Sequence, residues 1–292
     1  MEKTKLIKGY LFAITSAVLY GCMPLMASHV YADGVNAMTL VFLRNFLALP
    51  ALAALAFCQK KSLKIPVKSL GGLVMIAAFG CCLTPLLLFS SYHYIPSGTA
   101  TVFHFVYPSL VVLLGILFLK KRPAIGMVLS MLLCLGGICL FYKPGDFHWG
   151  GAGLALASGL TFAIYVVILS VYRRENLGGY LFTFYVALCS SVIMGIICVA
   201  TGNLALPQTF NGWFWCLLFA LGVTTGAVML FQQGTFLIGG ERTSILSTFE
   251  PITSLVVGVI WLGEEIFARD YMGAALVIAA SVLIAVVDMK KK

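Results

Sequence analysis

A single carboxylate lies deep inside an apolar stretch of this chain. Glu250 falls within GERTSILSTFEPITSLVVGVIWL, residues 240–262, and is the only acid far from the ends of any such stretch. Thr243, Ser247, Glu250 and Ser254 follow one another at steps of four, three and four, which puts them on one face of a helix. In hydrocarbon a polar stripe must face water or a polar partner, because lipid offers no hydrogen bond. About eight residues into a helix, Glu250 would stand roughly 12 Å deep. A carboxylate there is costly to ionise, which makes it a candidate for binding a cation or carrying a proton; a structural pair or cap beside Pro251 is the plainer alternative.

A second stretch, SGTATVFHFVYPSLVVLLGILFL at 97–119, offers His104 and Tyr107 three residues apart. Displaced by 143 positions, they are the counterparts of Ser247 and Glu250. Arg44 lies in a third apolar stretch, where it would meet a solute carboxylate, hold Glu250, or contact helix-end carbonyls. Tyr20 with Ser16, Tyr165 with Ser158, and one of Gln232 and Gln233 complete the candidates for lining a solute site; interhelical hydrogen bonding is the alternative for each.

The elements that must position these groups follow from composition. Of 292 residues, 61% are hydrophobic and 10% charged. A soluble domain carries roughly a quarter of its residues charged, so this chain belongs in a membrane. A span needs about 20 apolar residues. Ten such runs occur, near 9–30, 36–57, 70–92, 97–119, 124–142, 150–171, 179–201, 213–236, 242–262 and 270–288. They are called spans 1 to 10 below. With both termini in the cytoplasm, 16 of the 19 basic residues fall on the inner side, only Lys143 and Arg269 outside, and Arg44 within span 2. The net charge of +9 therefore reads as membrane topology rather than nucleic-acid binding.

The two central stretches also share a design. Each has a mid-run proline, Pro108 or Pro251, then Gly115 or Gly258, then Leu119 or Leu262. Span 1 aligns with span 6 at an offset of 142, placing Ala13 on Ala155, Ser16 on Ser158 and Tyr20 on Phe162; a cleaved leader would not be repeated in this way. Residues 1–143 and 144–292 thus read as two copies of five spans. Five is odd, so the second copy enters the membrane inverted, and the site is expected between the copies near mid-depth. The fold expected is an all-α membrane protein of ten transmembrane helices, two inverted five-helix repeats around a central cavity.

With Tyr107-Pro108 through Gly115, Glu250-Pro251 through Gly258, Leu262-Gly263-Glu264, Gly273 and Arg44, the chain resembles the drug/metabolite transporter superfamily, EamA type. The resemblance covers essentially the whole chain. It implies a ten-helix carrier of small metabolites with a central cavity and no bound cofactor, and export as the direction. The expected partners are a small-molecule solute, the bilayer of a prokaryotic inner membrane and, through Glu250, protons. Amino-acid-like solutes suit the site, with Glu250 meeting an ammonium and Arg44 a carboxylate.

Other classes lack their motifs. No HExxH, GxGD, P-loop or repeated carbonyl-filter sequence occurs, and one deep acid cannot form a protease dyad. Nine scattered cysteines without a CxxC read as small apolar fillers rather than metal or redox groups. The competing expectation is a membrane sensor, scaffold or lipid-acting protein that transports nothing.

Overall fold

The computed structural model describes residues 2–58, 67–119, 129, 132–133, 136–137, 140, 148–172, 179–247, 249–263 and 267–289. Eight helical stretches among them are long and apolar enough to cross a membrane: Lys5–Ala32, Ala37–Cys58, Leu70–Ser91, Ser97–Phe118, Trp149–Val171, Gly179–Ala200, Phe210–Ile238 and Arg242–Leu262. These are spans 1 to 4 and 6 to 9. Span 10 is helical over Ala268–Met289, with its apolar part at Tyr271–Ala280. Span 5 lies largely outside the described residues, so eight candidate spans stand against the ten expected. Exposed Phe57, Phe118, Val199 and Ile260 mark the outer surface as one suited to acyl chains.

Proline decides where the helices break. Span 1 is α1 (Glu2–Gly21) and α2 (Met23–Ala32), and span 2 is α3 (Ala37–Phe46) and α4 (Leu49–Cys58). Pro24 has no N–H for the carbonyl of Tyr20, and Pro50 none for that of Phe46, so each helix parts just ahead of its proline. Span 3 runs as α5 (Val67–Ile76), a wide-turned π segment, π1 (Ala77–Leu83), and α6 (Thr84–Ser91). Here Pro85 leaves the carbonyl of Cys81 free, and Asn45 Nδ2 donates to it at 3.3 Å. The Thr84 N–H reaches back five residues to Phe79, which is the π pattern. Span 4 is α7 (Ser97–His104) and α8 (Tyr107–Leu119), parted ahead of Pro108.

Spans 6 and 7 are unbroken: α9 (Trp149–Val171) and α10 (Gly179–Ala200) contain no proline. Span 8 is α11 (Phe210–Phe219), π2 (Ala220–Val228) and α12 (Met229–Ile238). Span 9 is α13 (Gly240–Leu246) and α14 (Phe249–Leu262), parted ahead of Pro251, and span 10 is α15 (Ala268–Met289). The two π segments begin 143 residues apart, the offset that relates spans 4 and 9 in the sequence.

Packing follows the same pairing. α1 lies along π2, α12 and α14, and α9 lies along π1, α6 and α8. α10 packs on both α3 and α4. α7 meets α14 while α8 meets α13, so the start of each central span contacts the end of the other and the two run antiparallel. Close approaches rest on glycine. A Cβ on Gly21 would stand 2.8 Å from the carbonyl oxygen of Glu250, and one on Gly159 would stand 2.6 Å from that of His104. Any side chain at these two positions would push α1 and α9 off the central spans.

Candidate functional site

Breaking a helix within a span creates ends where none would otherwise exist. Glu250 occupies the first turn of α14, where unpaired N–H groups and the positive dipole end favour an anion. Arg44 and His104 occupy the last turns of α3 and α7, where carbonyl ends favour a cation or a donor. All three are buried, at 3%, 2% and 3% exposure. The prolines that break the spans therefore also prepare the electrostatic seats of the residues beside them.

These residues line one cavity, with Tyr20, Met23, Gly80, Thr84, Pro85, Leu88, Phe89 and Phe162 completing the wall. It holds about 350 Å³ of space free of protein atoms, narrow throughout, and every lining residue is buried. In this conformation it takes water or a very small solute. Arg44 and Glu250 face it with no salt bridge between them, and Arg44 Nε has no hydrogen-bond partner. The guanidinium stands 6.0 Å from the Phe89 ring centre, a cation–π contact. Tyr20 lies within the fields of both Arg44 and Glu250.

The tautomer of His104 follows from its neighbour. Ser158 Oγ donates its one proton to the Ala155 carbonyl at 2.6 Å, so the 2.8 Å contact with His104 Nδ1 requires the ring N–H to donate. That leaves Nε2 as the acceptor available to the cavity. Thr161 Oγ1 donates to the Ser158 carbonyl at 2.9 Å and accepts from Thr84 Oγ1 at 2.7 Å, tying α9 to α6 beside the same wall. Ser254 Oγ and Thr101 Oγ1, 3.0 Å apart, join the two central spans.

Of the eight residues proposed from sequence as solute contacts, Glu250, His104, Arg44 and Tyr20 share the cavity wall. The other four stand behind it. Tyr107 packs on His104 and Phe162 with ring centres 5.4 and 4.7 Å apart, and its hydroxyl lies beside Ser247 without closing a hydrogen bond. Ser247 donates to the Thr243 carbonyl at 2.9 Å. Tyr165 packs against Gly80, Phe162 and Phe231. Gln232 accepts from Thr183 Oγ1 at 2.7 Å, and neither it nor Gln233 is on the wall. Thr84, Gly80, Phe89 and Phe162 were not proposed. Phe162 carried a signal, since the repeat aligns it with Tyr20; a threonine and a glycine in an apolar run carry none.

A wider crevice, about 860 Å³, lies toward one end of the molecule between Ser28, Tyr31, Tyr92, His93, Tyr94 and Leu262. Pro24 lines it, and neighbouring Met23 lines the first cavity. Tyr31 donates to the Phe89 carbonyl at 3.2 Å across the partition. At the same end Asp33 accepts from the Gln208 and Thr209 backbone N–H groups at 2.7 and 3.1 Å and from the Thr209 hydroxyl at 2.7 Å. The Thr209 hydroxyl bond is the largest cause holding the Asp33 carboxyl below the ordinary carboxylate range. Among the described residues no cluster of His, Cys, Asp and Glu is suited to a metal ion.

The model of the EamA-like transporter family matches residues 7–143 and again 149–286. An uncharacterized transporter of Archaeoglobus fulgidus is 28% identical over 274 residues, covering 93% of this chain and 94% of that one. The uncharacterized inner membrane transporter YicL of Salmonella typhimurium is 23% identical over 297 residues, 95% of each chain. A protein of known crystal structure shares the fold, with a TM-score of 0.70 and 17% identity over 97% of this chain and 98% of the other.

Proposed function

The chain belongs to the EamA-like transporter family, and from that premise we propose that it is a secondary transporter of small zwitterionic, amino-acid-like solutes. One observation carries the reading: a buried guanidinium and a buried carboxyl group, Arg44 and Glu250, face one narrow cavity with no salt bridge between them. Leaving a buried guanidinium and a buried carboxyl group without partners is costly, and a solute bearing both opposite charges would satisfy both at once. His104 Nε2 adds an acceptor for an ammonium N–H. The cavity is then the solute site of alternating access, between inverted halves 1–143 and 144–292. Antiparallel central spans and π segments at a matching offset support that arrangement. Ten spans, cytoplasmic termini and an inner-membrane location complete the reading, on the distribution of basic residues. Export is assigned on the family resemblance alone.

Purified protein in liposomes, tested against amino acids, nucleobases and cationic drugs, decides the matter. Saturable flux of zwitterions is expected, and saturable flux of no panel member would overturn the proposal. Loading solute on one side at a time reads the direction. Glu250 is assigned as the proton carrier, and an unchanged pH dependence of flux in Glu250→Gln would rule it out.

A further inference from the structure

Behind the Arg44 side of the cavity stands a group of buried hydrogen-bond donors with nothing to donate to. Tyr165 is 1% exposed and Gln232 is 0% exposed. The Tyr165 hydroxyl, Gln232 Nε2 and Arg44 Nε all lack a partner. Gly80 shares the cavity wall with Arg44 and abuts the Tyr165 ring, and the Tyr165 hydroxyl lies beside Gln232. The Gln232 amide is oriented by Thr183, whose shorter contact, 2.7 Å, is to Oε1, so Nε2 is the end left over. A native fold rarely leaves buried donors unpaired, and a cluster of them points to an absent acceptor. Glu250 is the only buried carboxylate among the described residues, and its field reaches Tyr20 and Tyr107. A carboxylate brought in from outside the protein would offer an acceptor to all three donors at once.

The partition between these donors and the cavity is thin. Gly80 is on the cavity wall, and a Cβ there would collide with the Tyr165 ring. Gly80 lies in π1, a wide turn whose end is freed by Pro85. A small rearrangement of that turn would open the cavity onto the Tyr165 hydroxyl and the Gln232 amide.

We infer that Arg44, Tyr165 and Gln232 form a subsite for the carboxylate of the solute, completed when π1 moves aside. This rests on the transport reading above and adds two residues and an orientation to it: the carboxylate lies toward α9 and α12, the ammonium toward α14. Tyr165→Phe keeps the packed ring, and the Thr183 hydroxyl keeps the Gly179 carbonyl, at 3.1 Å, when Gln232 becomes leucine.

The experiment uses the full chain in detergent and matched probes: L-leucine, isoamylamine, which lacks the carboxylate, and 4-methylpentanoate, which lacks the ammonium. Thermal stabilisation gives affinity, and liposome flux is read in parallel. Tyr165→Phe and Gln232→Leu are each expected to weaken binding of leucine and 4-methylpentanoate by about tenfold, the scale of one hydrogen bond to a charged group. They should leave isoamylamine within twofold and the unliganded melting temperature unchanged or raised. Equal losses for all three probes, or no loss for any, would overturn the subsite. So would a wild-type protein that neither carboxylate stabilises, even if amine flux is seen, and that flux would leave transport standing. Carboxylate binding without flux of any solute would overturn transport and leave the subsite standing.

Discussion

The two halves of the chain share a frame and differ in how they break it. Spans 3 and 8 carry π segments at matching places, and spans 4 and 9 each part ahead of a proline. Spans 1 and 2 also part, at Pro24 and Pro50, whereas their counterparts α9 and α10 run unbroken. The charge follows the breaks. Arg44 sits at an end made by one of them, and the positions 142 and 143 residues later are Val186 and Ala187 inside a continuous helix. Glu250 corresponds to Tyr107. A symmetric scaffold thus holds an asymmetric site, because a helix end can seat a buried charge and a helix middle cannot. One half contributes the cation and the other the anion.

The largest effect should come from removing that asymmetry. Arg44→Met and Glu250→Gln are each expected to lower solute flux in liposomes by at least tenfold, since truncating one member of a buried charged recognition pair costs about 2–5 kcal/mol. Ala187→Ser, at a counterpart position, should stay within twofold. Comparable losses at 44 and 187 would break the comparison.

Next come the glycines that hold the halves together. Gly80→Ala drives a methyl group into the Tyr165 ring and should lower stability by about 1–3 kcal/mol in detergent unfolding. Gly153→Ala in α9 meets open space and should be neutral or slightly stabilising.

Closing the first-half breaks sharpens the comparison further. Pro24→Ala and Pro50→Ala restore an N–H to each helix, and interior proline costs a helix about 3 kcal/mol. Melting temperature should rise and flux should fall by a few-fold. Thr161→Ala should do less, since it loosens the Thr84 tie without touching a helix end.

The smallest effect is expected at Asp33. Its carboxyl is held down in the folded state, so its contribution is present above the ordinary carboxylate pKa and is lost as pH falls through the folded value. The Gln208 and Thr209 amides should stay protected from hydrogen exchange at neutral pH and lose protection in acid. In Asp33→Asn that acid step should be absent.

Sequence reasoning reached the site through residues whose chemistry is improbable in lipid. Glu250, Arg44 and His104 stand out in apolar runs, and all three face the cavity. Pro108 and Pro251, which the repeat singled out, each lie just past a break in their span. What escaped reading depends on packing. Nothing in AAFGCCL announces a π turn; Asn45, on another span, takes up the Cys81 carbonyl that Pro85 leaves free there, whereas π2 forms without a proline. Thr84 and Gly80 are ordinary residues placed on the wall by that turn. Gln232 was a fair candidate by polarity, yet Thr183 draws its oxygen away from the cavity.

The central claim is that Arg44 and Glu250 grip opposite ends of one solute. Flux of leucine, isoamylamine and 4-methylpentanoate through wild type, Arg44→Met and Glu250→Gln tests it most directly. The account predicts that wild type prefers leucine, that Arg44→Met loses its advantage for leucine over the amine, and that Glu250→Gln loses its advantage over the carboxylate. Both substitutions lowering all three fluxes in the same proportion would contradict it.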